Sequence, residues 1–479
     1  MRLRLAPIAI LGLLALPAGA ATLEEVANAM GSAKLNTLQY SAAGSFYMVG
    51  QSQRAGGPWP KFPLTKVVRT LDYANAAMLE EFVFVQPPGP MMGGGAQPFV
   101  GDQRRVSGLS GETAWSATGQ TPTAQPGQVT NLQHELWISA HGIVRAALAD
   151  KASAATGPNN TTTFSIDRPG KFRAKATANA QNLIETVESV TANPVLGDMV
   201  TVTTYGDYRD LSGIKVPHKI VQQVQGHAAL EVNLADAKVN AGGVTAPAQV
   251  QPPVPAPPAT IVKLADGVWV VGGGYNVTVV ELPTEVVMIE APQSEARVAE
   301  VIDLIKKTIP NKPIRTAINT HHHFDHSGGV RAAVAEGATI YTHELNRAYY
   351  EAAYAAPRSL QPDRMSSAGA TAKFQTVGDK PVIIGDPAGR TVEIHTLTGL
   401  GHVDGMLIAY LPKEKVLVVA DAYSARAPQP VTRTPEKINE FVAALYANIE
   451  RLKLDIEIVI PIHGRVTNIQ ELKIEAGKA

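Results

Sequence analysis

The pattern of apolar and polar positions changes character part-way along the chain. Between residues 21 and 244 it alternates with period two, as half-buried strands do. Leu38 to Val49, Lys66 to Leu71, Met78 to Val85, Met199 to Tyr205 and Ile214 to Val224 are predicted strands. Tyr208 to Ile220 reads as strand, turn, strand, with Gly213 at the turn. One stretch departs from this pattern: Leu132, Leu136, Ala140, Ile143 and Ala147 fall on one face of a helix predicted over Asn131 to Ala149. The region reads as a β-rich domain, a curved antiparallel sheet. Pro88 to Gly95 reads as a flexible loop whose apolar Met91 and Met92 can touch an apolar ligand.

After residue 260 strands and helices alternate. Strands are predicted over Val268 to Val271, Val277 to Leu282, Val286 to Glu290 and Ile314 to Asn319, then Thr339 to Tyr341, Val392 to Leu397, Met406 to Leu411, Val416 to Ala420 and Glu457 to Ile462. Helices are predicted over Ser294 to Thr308, His343 to Ala353 and Glu436 to Leu452, the first capped by Ser294 and stopped by Pro310. Between the two patterns lies TAPAQVQPPVPAPP, Thr245 to Pro258, too rich in proline for a helix or a central strand. The expected organisation is a two-domain α+β chain, with a β-rich accessory domain at 21–244, a linker at 245–260 and an α/β domain at 261–479.

Composition narrows the function. The 479 residues are 45% hydrophobic and 18% charged, as in ordinary globular protein, with a formal net charge of zero. That balance gives no basic surface for nucleic acid or anionic membrane. Arg2 and Arg4, the apolar run Leu5 to Leu16, and Ala18-Gly19-Ala20 have the layout of a cleaved secretory signal at 1–20. The run is too short for a spanning helix, so export to the periplasm without stable membrane insertion is expected. There is no cysteine, so any metal site must use His, Asp and Glu.

Eight of the twelve histidines lie between residues 321 and 463. The densest group is Thr320-His321-His322-His323-Phe324-Asp325-His326-Ser327-Gly328-Gly329, directly after a predicted strand. His321 and His323 are two apart at a strand end and can point the same way. Asp325 and His326 follow the turn and can address a second position. Three more donors each end an apolar strand or follow one closely: His402, Asp421 and His463.

The pattern T-H-x-H-x-D-H-x-G-G, then G-H, an Asp after an apolar strand and a late His-Gly, resembles the metallo-β-lactamase fold superfamily over roughly residues 261–470. The resemblance implies an αβ/βα sandwich with metals at its edge. It places His321, His323 and His402 on one metal, Asp325, His326 and His463 on a second, and Asp421 on both. It implies two Zn2+, although these donors also accept iron or manganese. Asp421 stands where the β-lactamases of this fold usually carry cysteine or serine, which makes the set similar to glyoxalase II and lactonases. The expected activity is hydrolysis of an ester, thioester, lactone or amide in a small-molecule substrate, by a water shared between the metals, with Asp325 orienting that water and moving its proton.

Other residues have assigned places. Tyr423 and Arg465 are candidate substrate contacts. Glu290 can support the histidine turn or sit on the surface. His322 should point away from the metals, His343 should cap a helix, and His395 should be structural. His134, His141, His218 and His227 lack ligand spacing. Two other readings are open: an iron enzyme of the same fold that oxidises sulfur compounds, and a non-enzymatic protein whose first domain binds a lipid or other hydrophobic ligand. That domain is similar, at the level of fold, to periplasmic lipoprotein carriers. Oligomeric state is not legible.

Overall fold

The computed structural model describes residues 21–89, 92–94, 99, 101–117, 121–425 and 439–478. The signal segment 1–20 and Met91 lie outside the described residues. So do residues 436–438 of the expected helix, which begins at Glu440 with Asn439 as its cap.

The first half of the chain builds one 13-stranded sheet whose paired neighbours are antiparallel. Its first long strand, Thr37–Tyr47, pairs on one side with Lys61–Asp72 and on the other with His227–Val239. The start and end of the region are therefore stitched together at the middle of the sheet. Period-two patterning explains the strands: Phe172–Ala178 buries Phe172, Ala174, Ala176 and Ala178 and turns Arg173 and Lys175 outward. Gly213 at φ +81 makes the predicted turn before Ile214.

The buried faces close over three helices, Leu23–Met30, Val129–Ile138 and Ala140–Ala149. The last two replace the single predicted helix. Ser139 takes extended backbone and caps the second helix by accepting from the Gly142 amide. Gly142 also packs so closely on the Leu136 carbonyl that a Cβ would lie 2.2 Å from it. The apolar face read from sequence survives the break, because Leu132, Leu136, Ala140, Ile143 and Ala147 are all buried.

The second half has four layers. One seven-stranded sheet runs from Thr260–Ala265 to Lys373–Val377, antiparallel at first and parallel from Val286–Ile289 onward. A six-stranded sheet runs from Val382–Gly385 to Thr467–Asn468. Ile289 and Ile318 of the first sheet share a core with Ile394, Val418 and Ile460 of the second. Helix Glu295–Thr308 covers the outside of one sheet and helix Glu440–Leu452 the outside of the other. Strands covered on both faces become continuous apolar runs: all four residues of Val286–Ile289 and of Val416–Val419 are buried.

The topology then sets the edge. Val286–Ile289 is parallel to Ile314–Ile318, and Val416–Val419 is parallel to Ile458–Pro461. Parallel neighbours end at the same side of a sheet, so the residues after these strands gather along one rim.

Candidate metal centre

Each predicted donor lies just beyond or a few residues after a strand of this rim. His321, His323 and Asp325 follow Ile314–Ile318, Asp421 follows Val416–Val419, and His463 follows Ile458–Pro461. His402 sits in the turn after Thr391–Thr396. Asn276 fixes the last of these ends by donating to the carbonyls of Pro461 and Gly464, each at 2.8 Å.

Two groups of donors result. His321, His323, His402 and Asp421 form one, and Asp325, His326, Asp421 and His463 the other. Asp421 belongs to both and directs one oxygen to each. Its Oδ2 lies 2.9 Å from Nε2 of His402, and its Oδ1 lies 2.7 Å from Nε2 of His463 and 3.0 Å from Nε2 of His326. The first group is fully enclosed, while Asp325 and His463 keep partial access to solvent. The side of Asp325 and His463 is thus the open side of the cluster.

The set fits divalent metal. Its donors are imidazole nitrogens and carboxylate oxygens at three-plus-one spacing, with no sulfur. Nε2 of His402 and Oδ1 of Asp421 are buried and make no hydrogen bond of proper geometry, despite the close approach of their neighbours. Buried polar atoms rarely go unsatisfied, and a cation in each group would satisfy them. Without metal the charges compensate one another. Burial would raise the Asp421 pKa, but the imidazoles of His326 and His402 hold it well below its ordinary value. Burial would lower His326, but Asp421 and Glu290 raise it well above. His321 and His323, buried among like groups, are pushed well down and stay neutral, the form that binds metal.

Glu290 is the main support of the histidine turn. It is completely buried; Oε2 accepts from Thr320 Oγ1 at 2.6 Å and from His326 Nδ1 at 3.1 Å, and Oε1 accepts from Asn319. Its backbone sits at φ +81, a strained conformation for a non-glycine residue. Gly328 and Gly329 serve close packing rather than an unusual φ. A Cβ on either would lie 2.2 Å from the Gln293 carbonyl or 2.1 Å from Val298.

Several side chains take other places. His322 turns away from both groups and bonds to Ser52. His343 caps the turn at Leu345, and His395 pairs with Glu393. Tyr423 is 1% exposed in the core beneath helix Glu440–Leu452, its hydroxyl 3.5 Å from Glu475. Arg465 reaches Glu471 rather than the donor groups. Strand direction explains both: two residues past Asp421 the chain has entered the outer apolar layer, and the residue after Gly464 faces the final helix. His134, His141, His218 and His227 bond to Ser189, Ser32, Val216 and Gly56 in or on the first sheet.

Sequence reading missed the residues around Asp325. Tyr275 donates to its Oδ2 at 2.9 Å, and the Gln51 amide donates to its Oδ1 at 2.8 Å. Burial and the neighbouring Asp325 charge raise the Tyr275 phenol well above its ordinary pKa, so it remains a donor. The run Gly272-Gly273-Gly274 before Tyr275 was the available signal of close backbone approach. Nothing near Gln51 in sequence announces its role.

A model of the metallo-beta-lactamase superfamily matches residues 270–463. An alkyl/aryl-sulfatase of Saccharomyces cerevisiae is 37% identical over 76 residues, 15% of this chain and 12% of that protein. The 2,4-dinitroanisole O-demethylase subunit beta of a Nocardioides species is 34% identical over 100 residues, 21% of this chain and 31% of that protein. The chain thus matches under a third of the length of either. Among solved structures, metallo-β-lactamases from Pontibacter korlensis and Hirschia baltica align at 20% and 23% identity, each with a TM-score of 0.35. Each alignment covers 46% of this chain, and 98% and 97% of those proteins respectively. The C-terminal part of this chain carries the metallo-β-lactamase fold, and its residues 270–463 match that superfamily.

Proposed function

We propose that the chain is an exported hydrolase that holds two divalent cations, most simply zinc, in the paired donor groups. The observation that carries this reading is Asp421, which offers one carboxylate oxygen to each group. His321, His323 and His402 would hold one ion, and Asp325, His326 and His463 the other. Bound there, such ions would supply Lewis acidity toward a substrate carbonyl and would lower the pKa of water toward neutrality.

The remaining work belongs to side chains. Asp325 stands at the solvent side of the site with both oxygens engaged, one by Gln51 and one by Tyr275. That fixes its orientation. It positions the attacking water and carries a proton to the departing atom. His402 and Asp421 are enclosed and serve as holders. The substrate is a small molecule with an ester, thioester, lactone or amide bond. The names of the curated relatives add sulfate esters and aryl methyl ethers to the classes worth trying.

The test is metal content by mass spectrometry on purified mature protein, together with turnover of a panel of those substrates. About two zinc per chain, reduced together with turnover in His323→Ala, would support the proposal. One iron per chain with oxygen consumption would replace it with sulfur oxidation, and a chain that takes up no metal would end it. Export predicts a mature protein starting at Ala21, read by N-terminal sequencing.

A further inference from the structure

A loop of the first sheet reaches into the metal centre. Residues 48–60 connect strand Thr37–Tyr47 to strand Lys61–Asp72, and their tip lies on the histidine turn. The Ser52 carbonyl accepts from Nε2 of His323 at 2.9 Å and from Nε2 of His322 at 3.0 Å. The Gln51 side-chain amide donates to Asp325. The Gly50 carbonyl accepts from the Phe324 amide at 3.2 Å. Beyond the tip, Gln53 and Arg54 bond to Asp404, two residues after His402.

We propose that Gln51 and the Ser52 carbonyl are positioning groups of the metal centre, so that the first domain sets the geometry and affinity of both metal positions. The proposal rests on reading the donor groups as metal sites. The chemistry at His323 is specific. A carbonyl oxygen accepts only, so His323 must carry its proton on Nε2. Its Nδ1 then keeps a lone pair, and Nδ1 is the atom that faces His321, at 3.1 Å from Nε2 of that residue. Ser52 therefore selects the tautomer and ring orientation that present a donor to the first group. Gln51 acts on the second group. It holds Oδ1 of Asp325 while Oδ2 lies 3.5 Å from Nε2 of His326. A carboxylate held at both oxygens enters the site with little orientational freedom left to lose.

The backbone is shaped for this approach. Gly50 has φ +86, and a Cβ there would lie 2.4 Å from the Phe324 ring. Trp59 packs edge-on against the same ring, and His227 of the sheet bonds to Gly56. The loop is therefore braced on both domains.

Two variants of the full-length protein test the proposal. Gln51→Met keeps the bulk and removes the amide. Gly50→Ala drives the loop tip from Phe324, taking the Ser52 carbonyl with it. Affinity for Zn2+ is measured by competition with a chromophoric chelator, and the ligand field by the visible spectrum of the cobalt-loaded protein. Melting of the metal-free forms checks folding. The expected result is a weakening of one bound ion by about tenfold or more in Gln51→Met. Gly50→Ala should weaken both and shift the cobalt bands. If wild-type protein binds two ions and both variants match it in affinity and spectrum, the positioning role is overturned while the metal reading stands. If wild-type protein binds no ion, both fall together.

Discussion

Glu290 and His326 face one another 3.1 Å apart, both with no exposed surface, Glu290 directly after strand Val286–Ile289 of the seven-stranded sheet and His326 in the turn beyond its neighbour Ile314–Ile318. The carboxylate anchors Nδ1 of the ring and leaves Nε2 directed at Asp421 and His463. Removing a support of this kind weakens metal binding by about 10–100-fold. Glu290→Gln should therefore lower occupancy of the second site while leaving the first filled, as read by zinc titration. Glu290→Ala should also lower stability by about 1–3 kcal/mol, because Thr320 and Asn319 lose a buried partner.

Among the described residues, Asp421 alone belongs to both donor groups. Asp421→Ala should reduce metal content from two ions per chain to less than one, and abolish turnover. Loss limited to one ion would mean that the residue serves a single site.

Metal should stabilise the fold, because the donors converge only in the folded chain. A protein holding an ion at about a hundred times its dissociation constant gains about 2.7 kcal/mol. Chelator treatment should lower the melting temperature, and zinc should restore it. Binding should also release protons, since His326 carries one in the metal-free site. Calorimetry in two buffers of different ionisation heat measures that release.

Tyr423 and Arg465 are turned toward the C-terminal helix. Tyr423→Phe and Arg465→Ala should each change kcat/KM by less than about threefold, under about 0.7 kcal/mol of transition-state free energy. A hundredfold loss in either would place that side chain at the substrate.

His141 gives the first domain a pH dependence. Its Nε2 donates to the Lys215 carbonyl, Nδ1 accepts from the Ser32 hydroxyl, and burial lowers its pKa to about 4. The unfolded chain takes up a proton at this residue near pH 6.5, while the folded chain resists until about pH 4. Its contribution is complete above the unfolded value and is lost as pH falls between the two, about 2 kcal/mol from pH 7 to about pH 5. Urea unfolding of metal-free wild type and His141→Gln should show the shallower pH slope in the variant.

Local patterning made much of this legible. Parallel strands buried on both faces are continuous apolar runs, and Val286–Ile289 and Val416–Val419 stand out as such. His and Asp donors at strand ends carry a spacing signature, so the histidine turn is legible in the sequence as a candidate metal site. The break at Ser139 was harder, since the apolar face continues across it and only the cap marks the boundary. Gln51, Ser52 and Tyr275 were not legible as site residues. Their roles depend on contacts over long separations, 274 residues for Gln51 and Asp325, and local sequence does not encode docking. Tyr423 and Arg465 turn toward Glu475 and Glu471, because proximity in sequence to Asp421 and His463 does not fix the direction of a side chain.

The loop on the histidine turn also orders events during folding. Its partners lie hundreds of positions downstream, and His326 must wait a further 137 residues for His463. Closure over such spans comes late, after local strands and helices have formed. A chain that ends before Asp421 and His463 would carry the histidine turn without the donors that complete either group. Metal uptake at full affinity would thereby double as a checkpoint: the ion reports that the second half is complete, and its tightness that the first half has docked on it.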